Sequence, residues 1–327
     1  MPLLRDFISW LSTKPLVTRP IARTGMRLGF ARRFIAGETL EEALRTAAGL
    51  NAKGMLVIMN QLGENVTERR EAEAAYESYH RILRELAERK IDGDITIKPT
   101  QLGIDFSPDL CLDLTLRLVA DAARFRNFVE IDMEHSAVCG DTVDLFEQVR
   151  SRHENVGLAV QAYLRRTEDD LRRLRPLHPK IRLVKGAYLE PAEVAFPEKR
   201  QVDQNYAKLM RMLFTDGFVP AIATHDVALL RLAKQLARKF GLKPSDWEAQ
   251  MLLGVRRDLQ ESLVREGYRV RVYVTFGTEW VPYFMRRLAE RPANVAFVLR
   301  SLVQGKQPGR GGRPSRARKG PRPSAGA

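Results

Sequence analysis

Between about Gly54 and Gly277 the chain repeats one pattern eight times, a short and strongly apolar run followed by a stretch with helical periodicity. The runs fall at 55–60, 95–100, 128–133, 157–163, 181–187, 220–225, 248–254 and 270–276. Strands this apolar cannot leave one face in water, so they predict a parallel sheet covered by helices. Eight strand-helix units predict an α/β protein built as a distorted (βα)8 TIM-like barrel. The competing architecture, an open doubly wound sheet, carries a glycine-rich turn after its first strand. Here that strand runs into Gln61-Leu62-Gly63-Glu64-Asn65, which lacks such a turn.

The segments between the runs carry helix signals. Thr67 precedes a stretch in which Ala75, Tyr76, Tyr79, Ile82, Leu83 and Leu86 share one face, and Ser107-Pro108 supplies an N-cap followed by proline at the first helical position. Residues 39–50 are also helical in pattern. The expected organisation is a helical N-terminal arm over 1–50, the barrel over 51–304 and a tail over 305–327.

The tail decides how the net charge of +14 is read. From Gly305 onward there are seven basic residues (Lys306, Arg310, Arg313, Arg316, Arg318, Lys319, Arg322), no acid, and many Gly, Pro and Ser. Such a segment cannot bury apolar surface and is expected to be disordered. Half of the excess charge sits there, so the globular part is only mildly basic. A nucleic-acid binder would account for the tail but not for the polar strand ends. Two cysteines, Cys111 and Cys139, exclude a disulfide scaffold and fit a reduced, cytoplasmic setting. No Cys/His cluster has zinc spacing, and no metal is expected. No run reaches the roughly 18 apolar residues of a membrane span, and no signal peptide is read at the N-terminus.

Catalytic groups of a parallel barrel gather at the C-terminal ends of its strands. Those ends are polar in this chain: Lys98; Asp132 and Glu134; Gln161 and Tyr163; Arg182 and Lys185; Thr224 and His225; Tyr273. Residues two apart on a strand share a face. Thr96 with Lys98, Glu130 with Asp132, and Arg271 with Tyr273 therefore form polar faces opposite apolar ones, and these should look into the barrel. Charges there are costly unless paired or used, which points to a polar ligand. Beyond the last strand, Tyr283, Arg286, Arg287 and Glu290 stand at offsets zero, three, four and seven, the spacing of one helix face. Two adjacent arginines on such a face offer bidentate forks to a carboxylate.

Taken together, Ile97-Lys98-Pro99-Thr100-Gln101-Leu102-Gly103, Ile131-Asp132-Met133-Glu134, Val160-Gln161-Ala162-Tyr163, Arg182-Leu183-Val184-Lys185-Gly186-Ala187-Tyr188, Ala223-Thr224-His225 and the run from Tyr283 through Arg286-Arg287 to Glu290 resemble the flavin-dependent proline dehydrogenases of the monofunctional bacterial type. The resemblance covers roughly residues 50–300. It departs from the family pattern at Pro99, at Asp226 and in Met251-Leu252-Leu253-Gly254.

The resemblance implies noncovalent FAD and oxidation of L-proline to 1-pyrroline-5-carboxylate, with hydride passing from proline C5 to flavin N5. It places Met133, Gln161, Arg182, Val184, Lys185, Gly186, Ala187, Thr224, His225 and Leu252 at the flavin. Lys98, Tyr188, Tyr273, Tyr283, Arg286, Arg287 and Glu290 would shape the proline pocket, with Asp132 and Arg182 as the catalytic pair. On chemical grounds Asp132 is expected to hold Lys98, and strand alternation puts Arg182 and Lys185 on opposite faces. Quinone is the implied electron acceptor and a pyrroline-5-carboxylate dehydrogenase the downstream enzyme. A cytoplasmic protein peripheral to the inner face of the cell membrane would suit a quinone partner, and the amphipathic start (Leu3, Leu4, Phe7, Ile8, Leu11) and the basic tail could both serve it. Another flavin barrel of the methylenetetrahydrofolate reductase type would share fold and cofactor but has no use for the arginine pair.

Overall fold

The computed structural model describes residues 31–63, 66–281 and 283–284. Among the described residues a 3-10 turn (Ala31–Arg33) precedes helix α1 (Leu40–Asn51), which is followed by β1 (Leu56–Gln61), α2 (Arg69–Glu88), β2 (Gly93–Ile97), α3 (Pro108–Arg124), β3 (Val129–Ile131), α4 (Cys139–Arg150), β4 (Val156–Gln161) and α5 (Thr167–Leu174). Then come β5 (Lys180–Val184), α6 (Lys199–Thr215), β6 (Val219–Ala223), α7 (Val227–Lys239), β7 (Glu248–Leu252), α8 (Arg257–Arg265) and β8 (Arg269–Phe276). The eight strands close into one parallel barrel in chain order, β8 pairing with β1 from Leu56 opposite Arg271 to Gln61 opposite Phe276. The (βα)8 architecture read from the sequence is the one the chain adopts.

Local chemistry sets the helix starts. Thr39 and Glu42 form a reciprocal capping box at α1, and Ser107 caps α3 by accepting from the Leu110 amide, with Pro108 in the first turn. The described portion of the expected N-terminal arm, α1, lies against β8 and β1 and so covers the seam where the barrel closes. Thr67 is not itself the cap of α2. That position is Glu68, which makes no side-chain cap bond, and the Thr67 amide donates to Glu71 at 2.8 Å. Of the face predicted on α2, Tyr76, Tyr79, Ile82, Leu83 and Leu86 are buried, while Ala75 stays at the edge. Burying Ile82, Leu83 and Leu86 stabilises the fold by about 1.5–3 kcal/mol for each side chain relative to exposure.

Six of the eight apolar runs extend past the strands they announce. The second run reaches Thr100, whereas β2 stops at Ile97 and Pro99–Gln101 form a 3-10 turn whose residues are all buried. Apolarity reports burial, and here the turn after the strand is as buried as the strand.

Inside the barrel, register brings the inward residues together. Arg182 pairs in register with Ala159 on one side and Ala221 on the other, and these small neighbours leave room for its long side chain. At the N-terminal end of the strands the interior is an ion cluster. Lys180 Nζ lies 2.8 Å from Glu130, 2.9 Å from Glu248 and 3.5 Å from Asp94, and Arg271 reaches both Glu248 and Asp94 at 2.9 Å. Burial works against ionisation of Glu248, but Arg271 and Lys180 win and hold its carboxyl well below the usual glutamate range. Glu130 is likewise held low against its burial, by Lys180 and Arg182, whereas at Asp94 burial wins and the carboxyl is raised. No helix among the described residues is long and apolar enough to cross a membrane.

Candidate active site

At the opposite end of the strands the barrel opens into a cavity of about 560 Å³. Lys98, Asp132, Met133, Gln161, Arg182, Val184, Lys185, Gly186, Ala187, Tyr188, Thr224, His225, Leu252, Tyr273 and Tyr283 all line it. They come from seven strands or strand ends, from the β5–α6 segment and, at Tyr283, from beyond β8. Arg286, Arg287 and Glu290 lie outside the described residues, as do the amphipathic N-terminus and the basic tail.

Asp132 stands at the centre of the polar wall. Its Oδ1 takes a short contact from the Arg182 guanidinium and its Oδ2 accepts from the Tyr273 hydroxyl at 2.8 Å. Burial holds that phenol protonated far above its ordinary range, so it serves as a donor. The Arg182 guanidinium also lies 5.3 Å from the Tyr273 ring centroid and 3.1 Å from Glu130. Arg182 is therefore held between one carboxylate below and one above, with its face against an aromatic ring. Its Nη1 meets Glu130 as an ion pair, and its Nε has no hydrogen-bond acceptor among the described residues. Lys98 donates to Asn60 at 3.2 Å, and Asn60 donates to Thr275 at 3.3 Å. Arg182 and Tyr273 hold Asp132, because the barrel's curvature brings β5 and β8 to it, and β1 supplies an acceptor for Lys98.

Gln161 donates through Nε2 to the Met133 and Glu134 carbonyls at 2.7 and 3.1 Å, leaving its buried Oε1 without a partner among the described residues. His225 accepts from the Leu252 amide at 3.0 Å, tying the end of β6 to the end of β7. Lys185 bridges Asp203 at 2.5 Å and Asp226 at 3.5 Å. Burial opposes ionisation of Asp203, yet its hydrogen bonds from Lys185 and Lys199 keep its carboxyl below the usual range. The expected opposition of Arg182 and Lys185 holds only in part: β5 ends at Val184, so alternation no longer governs Lys185, and both residues line the same cavity while their charged ends go to different carboxylates. Gly186, at φ +113°, packs so closely on the Tyr163 ring that a Cβ would come within 2.1 Å of it.

Two polar strand-end residues turn elsewhere. Glu134 accepts from the Thr100 amide at 2.9 Å and from its hydroxyl at 2.8 Å, pinning the 3-10 turn after β2, and Tyr163 supports Gly186. Neither lines the cavity. Conversely, Asn60, Leu62, Ala159, Lys199, Ala223, Asp226, Gln250 and Met251 line it and were not singled out. Asn60 and Gln250 were legible as inward polar residues by the same alternation that found Lys98. Asp226 carried an N-cap signal, realised in its bond from the Ala228 amide at 2.9 Å. Lys199, at the start of α6, had none.

The family model described as "Proline dehydrogenase" matches residues 43–300. Among characterised relatives, Proline dehydrogenase 1 of Bacillus subtilis subsp. natto is 39% identical over 302 residues, covering 92% of this chain and all of that protein. The Proline dehydrogenase of Deinococcus radiodurans is 35% identical over 308 residues, covering 93% of this chain and 99% of the relative. Among solved structures, proline utilization A from Bdellovibrio bacteriovorus, inactivated by N-propargylglycine, superposes with a TM-score of 0.79 at 24% identity. That likeness is one of fold. It covers 93% of this chain, which spans 38% of the longer protein. Family match, full-length relatives and barrel agree: the chain is a member of the proline dehydrogenase family, an oxidoreductase acting on proline.

Proposed function

We propose that this enzyme uses FAD to oxidise L-proline to 1-pyrroline-5-carboxylate and passes the electrons to quinone. The observation that carries the reading is the Asp132–Arg182–Tyr273 constellation on the wall of a cavity lined by the residues that resemble flavin and proline contacts. The donor set suits a flavin. Arg182 and Lys185 supply positive charge, and Gln161 Oε1 and Arg182 Nε are buried polar atoms with no partner among the described residues. Met133, Val184, Ala187, Thr224, His225 and Leu252 would complete the flavin site.

Side chains cannot accept a hydride, and FAD, when bound, would supply that acceptor at N5 for the hydrogen on proline C5. The protein's own work is to place the ring and manage charge. Arg286 and Arg287 would clamp the substrate carboxylate, supported by Glu290 and Tyr283. Lys98, cationic near the amine, favours loss of the amine proton, which with loss of hydride from C5 creates the C5–N double bond. Tyr188 and Tyr273 wall off water around the five-membered ring. Asp132 fixes the guanidinium of Arg182, whose charge stabilises a negative cofactor ring. A pyrroline-5-carboxylate dehydrogenase would consume the product, and a peripheral position on the inner face of the membrane would give access to quinone.

The test is anaerobic. The purified enzyme should be yellow, and its flavin bands should bleach on addition of L-proline. A colourless protein, or a yellow one that proline does not bleach, overturns the reading. Replacing Arg286 or Arg287 by Met should raise the proline KM by at least about 10-fold, the loss expected of a charge-assisted hydrogen bond.

A further inference from the structure

Between Gly186 and α6 the chain runs without regular structure along the cavity and contributes Tyr188 to its wall. Its far part is fastened to the β4–α5 connection. The Phe196 amide donates to the Tyr163 carbonyl at 2.7 Å, the Arg165 amide to the Val194 carbonyl at 3.0 Å, and Leu164 and Ala195 form an antiparallel bridge. Its near part is fastened differently. Both oxygens of Glu190 go to one residue across the barrel mouth, Oε1 accepting from the Ser136 amide at 2.8 Å and Oε2 from the Ser136 hydroxyl in a short bond. Ser136 begins the turn after β3, four residues past Asp132, and its neighbour His135 stands edge-on to the Tyr188 ring at 6.4 Å. Tyr188 therefore hangs between a glycine with positive φ and a two-pronged anchor, while the next residue, Leu189, is 63% exposed and anchors nothing.

We infer that Glu190 is a positioning residue: by clasping Ser136 it fixes Tyr188 against the cavity and so sets the ring size of the cyclic amino acid that the enzyme accepts. The inference rests on the reading of Tyr188 as a wall of the proline pocket. A carboxylate that binds a backbone amide and the hydroxyl of the same residue fixes both distance and orientation, as one hydrogen bond would not. Releasing it frees a segment that has no ladder of its own, so Tyr188 would sample positions away from the substrate. Binding selectivity would suffer, while the groups at the reacting atoms would remain in place.

The test uses the full-length flavin-loaded enzyme with Glu190→Ala, Glu190→Gln and Ser136→Ala. In Glu190→Ala the proline KM should rise on the order of 10-fold with kcat nearly preserved, the signature of lost uniform binding. The preference for proline over its six-membered homologue, piperidine-2-carboxylate, should shrink in parallel. Glu190→Gln and Ser136→Ala each keep one of the two bonds and should fall between. Flavin content and thermal midpoint should match the native enzyme. Unchanged KM and unchanged ring-size preference in Glu190→Ala would overturn the inference, as would equal losses of kcat, flavin and stability, which would make the contact merely structural. Failure of the native enzyme to bleach with proline would instead overturn the reading of the pocket itself.

Discussion

The two ends of this barrel hold the same kinds of side chain and use them in opposite ways. At the N-terminal end Lys180 and Arg271 face Glu248, Glu130 and Asp94, and the charges are answered from several sides. At the C-terminal end Arg182 and Lys98 stand beside Asp132 and Asn60 around an open cavity, and Arg182 keeps its Nε without an acceptor among the described residues. The lower cluster closes the barrel floor. The upper set borders open space and leaves Arg182 Nε unanswered, the arrangement that the proposed function asks for. Glu130 joins the two, touching Lys180 below and Arg182 above.

The comparison is broken most forcefully at Arg182. Replacing it by Met strands Glu130 and Asp132 together, so stability should fall by about 3–5 kcal/mol, as when one member of a buried pair is removed. Reduction of the flavin by proline should slow by at least about 100-fold, the usual consequence of losing a charge aimed at the reacting group. Stopped-flow absorbance and urea unfolding measure the two effects, and unchanged reduction would place Arg182 with the floor rather than the site. Lys180→Met separates the ends. It should cost about 3 kcal/mol of stability through the unpaired carboxylates, yet leave the reduction rate of the folded enzyme near the native value. A rate loss matching that of Arg182→Met would dissolve the distinction.

A smaller effect concerns acid. Glu248 has a folded pKa below its ordinary value of 4.5, so its contribution is present above that pH and is lost as pH falls toward the folded value. Asp94, raised above 3.8 by burial, works in the opposite sense and cushions the loss. In Glu248→Gln, the fall in stability with acidification below about pH 4.5 should flatten by at most about 1.4 kcal/mol per pH unit, one proton's worth. Identical slopes in urea titrations of both proteins would mean that the floor carboxylate is not held low.

How much of this was legible differs between fold and site. Alternation found Thr96, Glu130, Asp132, Arg271 and Tyr273 as inward residues, since the period of a strand is a property of the local chain. It stopped working at Lys185, one residue past the end of β5, because there the backbone leaves the sheet. It could not assign partners either. Asp132 and Tyr273 are 141 residues apart, and their 2.8 Å bond exists only because eight strands close with β8 against β1 in one register. The Glu190–Ser136 clasp spans 54 residues between two irregular segments that no periodicity describes.

Sequence alone therefore determined the strand-helix alternation, the identity of the polar faces and the family, since each is written in local pattern or in short runs of residues. Tertiary structure decided which cation meets which carboxylate, which strand-end residues turn away to brace loops, and which loop residue holds Tyr188. Those outcomes depend on barrel closure and register, where a shift of one residue on a strand would exchange inside for outside.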